Sequence, residues 1–209
     1  MKLLTLGGTA LLTFFATVNV NAESSVGYEE ATFEMGGQGP AGGVIFYLTD
    51  DKLHGMESAG YLKDSQGLYM LAEWGCNDIY KDVGFGVKLG EGKANSLELL
   101  EECSSERGGL IAAKHADNYV QNQYSDWYLP SQDELSKYSY LMWESGRKVV
   151  NSSADIEHYC TWSSTNYFWN AIGAGYAQGM TQEFDEYYSL YTSGRARSKE
   201  CAIVPVRDF

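Results

Sequence analysis

The stretch Ser125-Asp126-Trp127-Tyr128-Leu129-Pro130-Ser131-Gln132-Asp133-Glu134-Leu135 constrains the fold more than any other part of this chain. Trp127, Tyr128 and Leu129 suit a pleated, half-buried surface, and Pro130 holds the residue before it extended, so a strand ends there. Ser131 followed three residues later by Glu134 is a capping box: the hydroxyl accepts from the backbone N–H of Glu134 while the carboxylate reaches back to the N–H of Ser131. A helix starts at once. Leu135, Tyr138, Leu141 and Met142 then recur at spacings of three and four, on one stripe of a helix ending near Gly146. That stripe faces the core. Asp133 and Glu134 sit in the first helical turn, where the helix dipole favours carboxylates without any chemistry, so they read as structural rather than as an acid and base pair.

The N-terminus has the form of a secretory signal over residues 1–22: Lys2, an apolar run from Leu3 to Val18, then Val20-Asn21-Ala22 at a peptidase site. The run is shorter than the roughly 20 residues of a membrane span. The mature chain is expected to begin at Glu23, with a polar lead-in over 23–38 and a single domain over 39–209. Localisation is then periplasmic, secreted or cell-surface, with no integral membrane association. The formal charge is −13, or −14 once Lys2 leaves with the signal. Nucleic-acid binding rests on neutralising phosphates with Lys and Arg, so an acidic chain argues against that partner. Sulfated polysaccharides require Arg195, Arg197, Lys199 and Arg207 to gather into a basic patch.

Cys76, Cys103, Cys160 and Cys201 form an even set in an exported chain, which predicts two disulfides among three possible connectivities. The favoured pairing is Cys76 with Cys103, closing a loop around a Gly-rich segment, and Cys160 with Cys201, tying a mid-chain strand to the last one. The rival reading is zinc, but there is no C-x-x-C and His54, His115 and His158 stand singly; no metal or cofactor is expected.

Further along the chain, Val44-Ile45-Phe46-Tyr47-Leu48 and Tyr69-Met70-Leu71-Ala72-Glu73-Trp74 read as strands. Asn95 or Ser96 is expected to cap a helix running to Cys103, and a second short helix to cover 109–119. Gly84-x-Gly86 lacks the third glycine of a phosphate loop and reads as a plain loop. Strands follow at Tyr159 to Thr165, near 173–179 and 186–191, and at Cys201 to Arg207, where Pro205 demands a bulge or a position that spares its missing N–H. Strands, then helices, then strands make an α+β domain.

Five motifs in fixed order carry a resemblance: Gly39-Pro40-Ala41-Gly42-Gly43-Val44-Ile45-Phe46-Tyr47, Ala72-Glu73-Trp74-Gly75-Cys76, the 125–135 stretch, Trp162-Ser163-Ser164-Thr165 and Val206-Arg207-Asp208-Phe209. They resemble the exported bacterial family named for the C-terminal domain of the Lcl collagen-like adhesin, a domain of unknown function, across nearly all of the mature chain. The resemblance implies a C-type-lectin-like fold of small twisted antiparallel sheets, two or three helices and long loops, shared with sulfatase-modifying factors. It also implies a lean toward surface binding. The Glu-Pro-Asn and Gln-Pro-Asp calcium triplets are absent, since the only prolines are Pro40, Pro130 and Pro205, and Gly does not recur every third residue as in a collagen-like stalk.

The expected function is a non-catalytic, calcium-independent binding module for a glycan or surface protein. Its candidate ligand residues are Asn166, Tyr167, Trp169, Asn170, Tyr187, Tyr188 and Tyr191, because sugars stack on aromatic faces while amides fix their hydroxyls. A structural or assembly role in the cell envelope or a pilus is the alternative. An oxidase of the formylglycine-generating type would need Cys160 and Cys201 as reactive thiols. A hydrolase built from Glu183, Asp185 and Glu186 lacks a nucleophile with a histidine base.

Overall fold

The computed structural model describes residues 32–76, 83–146, 160–166, 178–184 and 190–209, with only the backbone described for 178–184 and 190–193. Two sheets and three helices occupy these residues, an α+β architecture. The smaller sheet has the order β1-β2-β8, from Val44–Leu48 (β1), Gly55–Ser58 (β2) and Val206–Asp208 (β8), all antiparallel. The larger has the order β3-β7-β4-β5-β6, from Leu71–Glu73 (β3), Cys160–Asn166 (β4), Gln178–Phe184 (β5), Leu190–Ala196 (β6) and Glu200–Ala202 (β7). Every pair in it is antiparallel except β4 with β7, which meet in parallel at Thr161 and Ala202.

The helices are Gly92–Glu102 (α1), Ala112–Asp117 (α2) and Gln132–Glu144 (α3). The expected capping box is present at α3: Ser131 accepts from the Glu134 N–H, and the Glu134 carboxylate accepts from the Ser131 N–H at 2.8 Å. Leu135, Tyr138 and Met142 are buried against Phe46, Val204 and Val206, with the Tyr138 ring edge-on to Phe46. A second core gathers Trp74, Leu99, Ile111, Trp162 and Ile203 beneath α1 and α2. Both expected disulfides are present, Cys76–Cys103 and Cys160–Cys201, with Cα atoms 4.6 and 5.1 Å apart, and no free cysteine remains for zinc among the described residues.

Four expectations need correction. The strand through Trp127 to Leu129 shrinks to one bridge, Tyr128 to Val206, because the Leu129 N–H turns to the Ser96 hydroxyl instead. The start of α1 lies before Asn95 and Ser96, which are buried inside it. Ser96 Oγ donates to the Leu129 carbonyl, and Asn95 clasps Gly86 through both its N–H and carbonyl. The N–H groups of Gly90 and Gly92 at that helix start are satisfied by the Glu134 carboxylate, from α3. The strands expected near 173–179 and 186–191 extend beyond those bounds, as β5 to Phe184 and β6 to Ala196, with seven consecutive pairs from Gln178–Ala196 to Phe184–Leu190; residues 173–177 and 186–189 lie outside the described residues.

The last correction concerns the closing strand, which is divided at Ile203-Val204-Pro205. Cys201 and Ala202 belong to the larger sheet and Val206 and Arg207 to the smaller. Pro205 has no N–H to continue a ladder. Its carbonyl accepts from the Ala59 N–H at 3.0 Å and that of Ile203 from the Leu62 N–H at 3.0 Å, so the segment crosses between sheets fully buried.

Candidate functional site

The glycines of Gly39-Pro40-Ala41-Gly42-Gly43 fold around a carboxylate. The Ala41 N–H donates to Glu57 Oε1 at 2.9 Å and the Gly43 N–H to Oε2 at 2.7 Å. A Cβ at Gly39 would lie 2.5 Å from Glu57 Oε2, and one at Gly43 would lie 2.7 Å from the Ser58 carbonyl, so neither position has room for a side chain. Arg207 completes the cluster: Nη1 donates to Glu57 Oε1 at 2.7 Å, while Nε and Nη2 grip Asp126 as a fork at 2.7 and 3.0 Å. The guanidinium carbon stacks 4.2 Å from the Tyr124 ring centre. The hydrogen bond from Arg207 holds the Asp126 carboxyl below its ordinary range, against the opposing effect of burial. Burial works against the charge on Arg207, but its bonds to Asp126 and Glu57 raise its pKa on balance. An acid held ionised in this way is a poor proton donor near neutral pH. Three of the five motifs meet here.

The other two lock each other. The Trp74 indole donates to the Ser163 carbonyl and the Trp162 indole to the Ala72 carbonyl, each at 2.8 Å, with both rings fully buried. Buried Glu73 accepts from the Ser105 hydroxyl, and Arg107 Nε stands 3.4 Å from its other oxygen. Glu134, raised above its ordinary pKa by burial, is opposed by the N–H groups of Ser131, Gly92 and Gly90. These are bonds to backbone, as a structural reading of the Asp133-Glu134 pair requires.

The basic patch that sulfated polysaccharides would require does not assemble as a surface. Arg207 is in the ion cluster, and Arg197 is buried, donating to the Cys76 carbonyl at 2.8 Å with its guanidinium over the Trp74 ring. Of the four, Lys199 is exposed and Arg195 half-buried. An inward-turned guanidinium is unavailable to sulfate.

Of the candidate ligand residues, Asn166 ends β4 and is buried, its N–H donating to the Gly84 carbonyl at 2.6 Å. Tyr191 lies in β6 opposite Glu183. Tyr167, Trp169, Asn170, Tyr187 and Tyr188 lie outside the described residues, as do Asp185 and Glu186. The strands nevertheless divide the set. Asn166 and Gln178 bound the β4–β5 connection at one end of the sheet, whereas Phe184 and Leu190 bound the β5–β6 connection at the other. From Gln178 to Phe184 is about 20 Å of strand. The cysteines considered for an oxidase, Cys160 and Cys201, are bonded to each other and buried.

No family model matches this chain, and no curated protein does.

Two other surfaces stand out among the described residues. Along α1, a hollow of about 310 Å³ lined by Leu100, Cys103, Leu110 and Lys114 adjoins one of about 80 Å³ lined by Lys93, Leu97, Asp126 and Trp127, the two sharing Leu100. On the outer face of α3, Tyr140 and Trp143 are each about half exposed, at 52% and 53%, with ring centres 5.9 Å apart. Sequence reasoning passed over this pair because it sought the core stripe of the helix. The signal was present nonetheless: positions 140 and 143 are the aromatic ones that fall off the stripe. No helix among the described residues is long and apolar enough to cross a membrane.

Proposed function

We propose that the mature chain is an exported, non-catalytic binding module of the C-type-lectin-like kind, akin to the Lcl C-terminal-domain family, that takes a glycan or surface-protein ligand on aromatic side chains without calcium. The observation that carries this reading is the direction in which the motif residues face. Arg207, Glu73 and Glu134 are buried and engaged with Glu57, with Asp126 at the surface or with backbone N–H groups. The aromatic-rich segments, by contrast, join long strands of a frame clamped by the Cys160–Cys201 disulfide. A rigid scaffold that devotes its polar residues to cohesion and varies its loops is the usual arrangement of a recognition domain. Glycan arrays and immobilised host-matrix proteins, probed with protein verified as folded, test this. Binding to a defined glycan or matrix protein is the expected result, and a clean negative on both overturns it.

A second reading, assembly into an envelope or pilus structure, draws support from β6. It is the outermost strand of its sheet and, among the described residues, pairs only with β5 along seven residues. An open edge of that length is a template for strand addition. Light scattering across a concentration series separates the readings: a module of this second kind self-associates, and a strict monomer argues against self-assembly.

A further inference from the structure

We infer that the outer face of α3 is a contact site for a neutral sugar, with Trp143 and Tyr140 as its stacking platform. This rests on the binding-module reading and adds a helix face to the candidate ligand residues. The helix explains how the pair arises. Residues 140 and 143 are three apart, hence neighbours on one face, while Leu135, Tyr138 and Met142 turn to the core. The rings lie 5.9 Å apart and tilted by 41°, a spacing comparable to the length of one pyranose ring, with a twist that suits successive sugars turned relative to each other. Glu144, exposed and one turn on from Tyr140, sets a carboxylate at the platform edge where it can accept a sugar hydroxyl.

Size and charge select the occupant. An aromatic side chain buries about 150–250 Å² in full, so two half-exposed rings offer far less than the roughly 800 Å² that each partner contributes to a stable protein interface. Asp133, Lys137 and Glu144 are exposed on the same helix and interrupt any wider apolar surface. Lys137, three residues before Tyr140, lies over the Tyr47 ring, 5.8 Å from its centre, which leaves Glu144, next to Trp143, as the charge beside the platform among the described residues. Glu144, in a chain of net charge −13, repels sulfate and uronate groups. What remains is an uncharged pyranose, whose C–H face stacks on an aromatic ring.

The test uses the whole mature protein with chitotetraose, cellotetraose and maltotetraose as neutral probes and a heparin tetrasaccharide as the charged comparison, read by calorimetry and tryptophan fluorescence. At least one neutral probe is expected to bind, with Trp143→Ala weakening it about tenfold or more, Tyr140→Ala weakening it less, and Trp143→Tyr restoring most of the affinity. Thermal unfolding should stay near wild type, because both residues are half in solvent. Should Trp143→Ala fail to fold, Tyr140→Ala and Trp143→Tyr still decide the matter. Unchanged affinity in folded Trp143→Ala overturns the α3 site while leaving the module reading intact. Binding of the heparin fragment alone also overturns it, as does the absence of neutral-sugar binding in the wild type. Only if arrays and matrix proteins are negative as well does the module reading fall with it.

Discussion

Replacing Arg207 by Met keeps the aliphatic stem but removes the guanidinium that neutralises Glu57. Glu57 is fully buried, and the side chain of Arg207 is 7% exposed, so solvent cannot make up the loss. The carboxylate would keep the N–H groups of Ala41 and Gly43 and lose its only counter-ion among the described residues. Removing one partner of a buried pair in this way costs about 3–5 kcal/mol. For a domain of this size that is a fall in Tm of about 6–20 °C. Urea unfolding at pH 7 measures it directly, with an unchanged slope showing that the transition stays two-state. Glu57→Gln alone loses an acceptor for one N–H, at about 1–3 kcal/mol. In the double variant no charge is left buried, so its cost should fall short of the sum by at least about 1 kcal/mol. Asp126 adds a signature in pH. Its depressed folded pKa contributes stability that is present above the unfolded value of about 3.9 and is lost as pH falls through the folded value. That acid-side loss should shrink in Arg207→Met. A cost below about 1 kcal/mol, or additivity within about 0.5 kcal/mol, would refute the claim that this cluster holds the fold together.

Three further outcomes follow from the same geometry. Reducing the Cys160–Cys201 disulfide, which spans 41 residues, should cost about 4 kcal/mol, and the Cys76–Cys103 disulfide, spanning 27, about 3.5 kcal/mol, measured as shifts in the urea midpoint of Cys→Ser pairs. Trp162→Phe leaves the Ala72 carbonyl without its indole donor and should cost about 1–3 kcal/mol in the same assay. Tyr61 and Tyr128, each raised above the ordinary tyrosine range chiefly by burial, should resist ionisation in an absorbance titration at pH values where exposed tyrosines respond. Their contribution to stability is complete below the unfolded pKa of about 10 and is lost as pH rises beyond it, so alkaline unfolding and their ionisation should coincide.

The parts of this fold that are legible in the sequence are those whose causes are local. α3 follows from Pro130, a capping box and a three-and-four spacing, all within twenty residues of one another, and β1 from five consecutive β-prone residues. The invisible parts depend on partners far along the chain. Gly55-Met56-Glu57-Ser58 has no strand alternation and places a glutamate at a fully buried position, which becomes tolerable only through Arg207, 150 residues away. The start of α1 is likewise decided by Glu134, 42 residues beyond Gly92. As for candidate sites, aromatic content drew attention to 166–191, but strand register separates the two ends of that segment. Tyr140 and Trp143 were legible only as residues that a core stripe does not need.

The crossing at Ile203-Val204-Pro205 has a consequence for cooperativity. A three-residue splice belongs to the backbone of both sheets, so neither can open at that end without pulling on the other. Amide exchange in β7 and β8 should therefore report one common opening event rather than two. A circular permutant cut within 203–205 would part the sheets' shared seam, and its exchange pattern should resolve into two separately opening units.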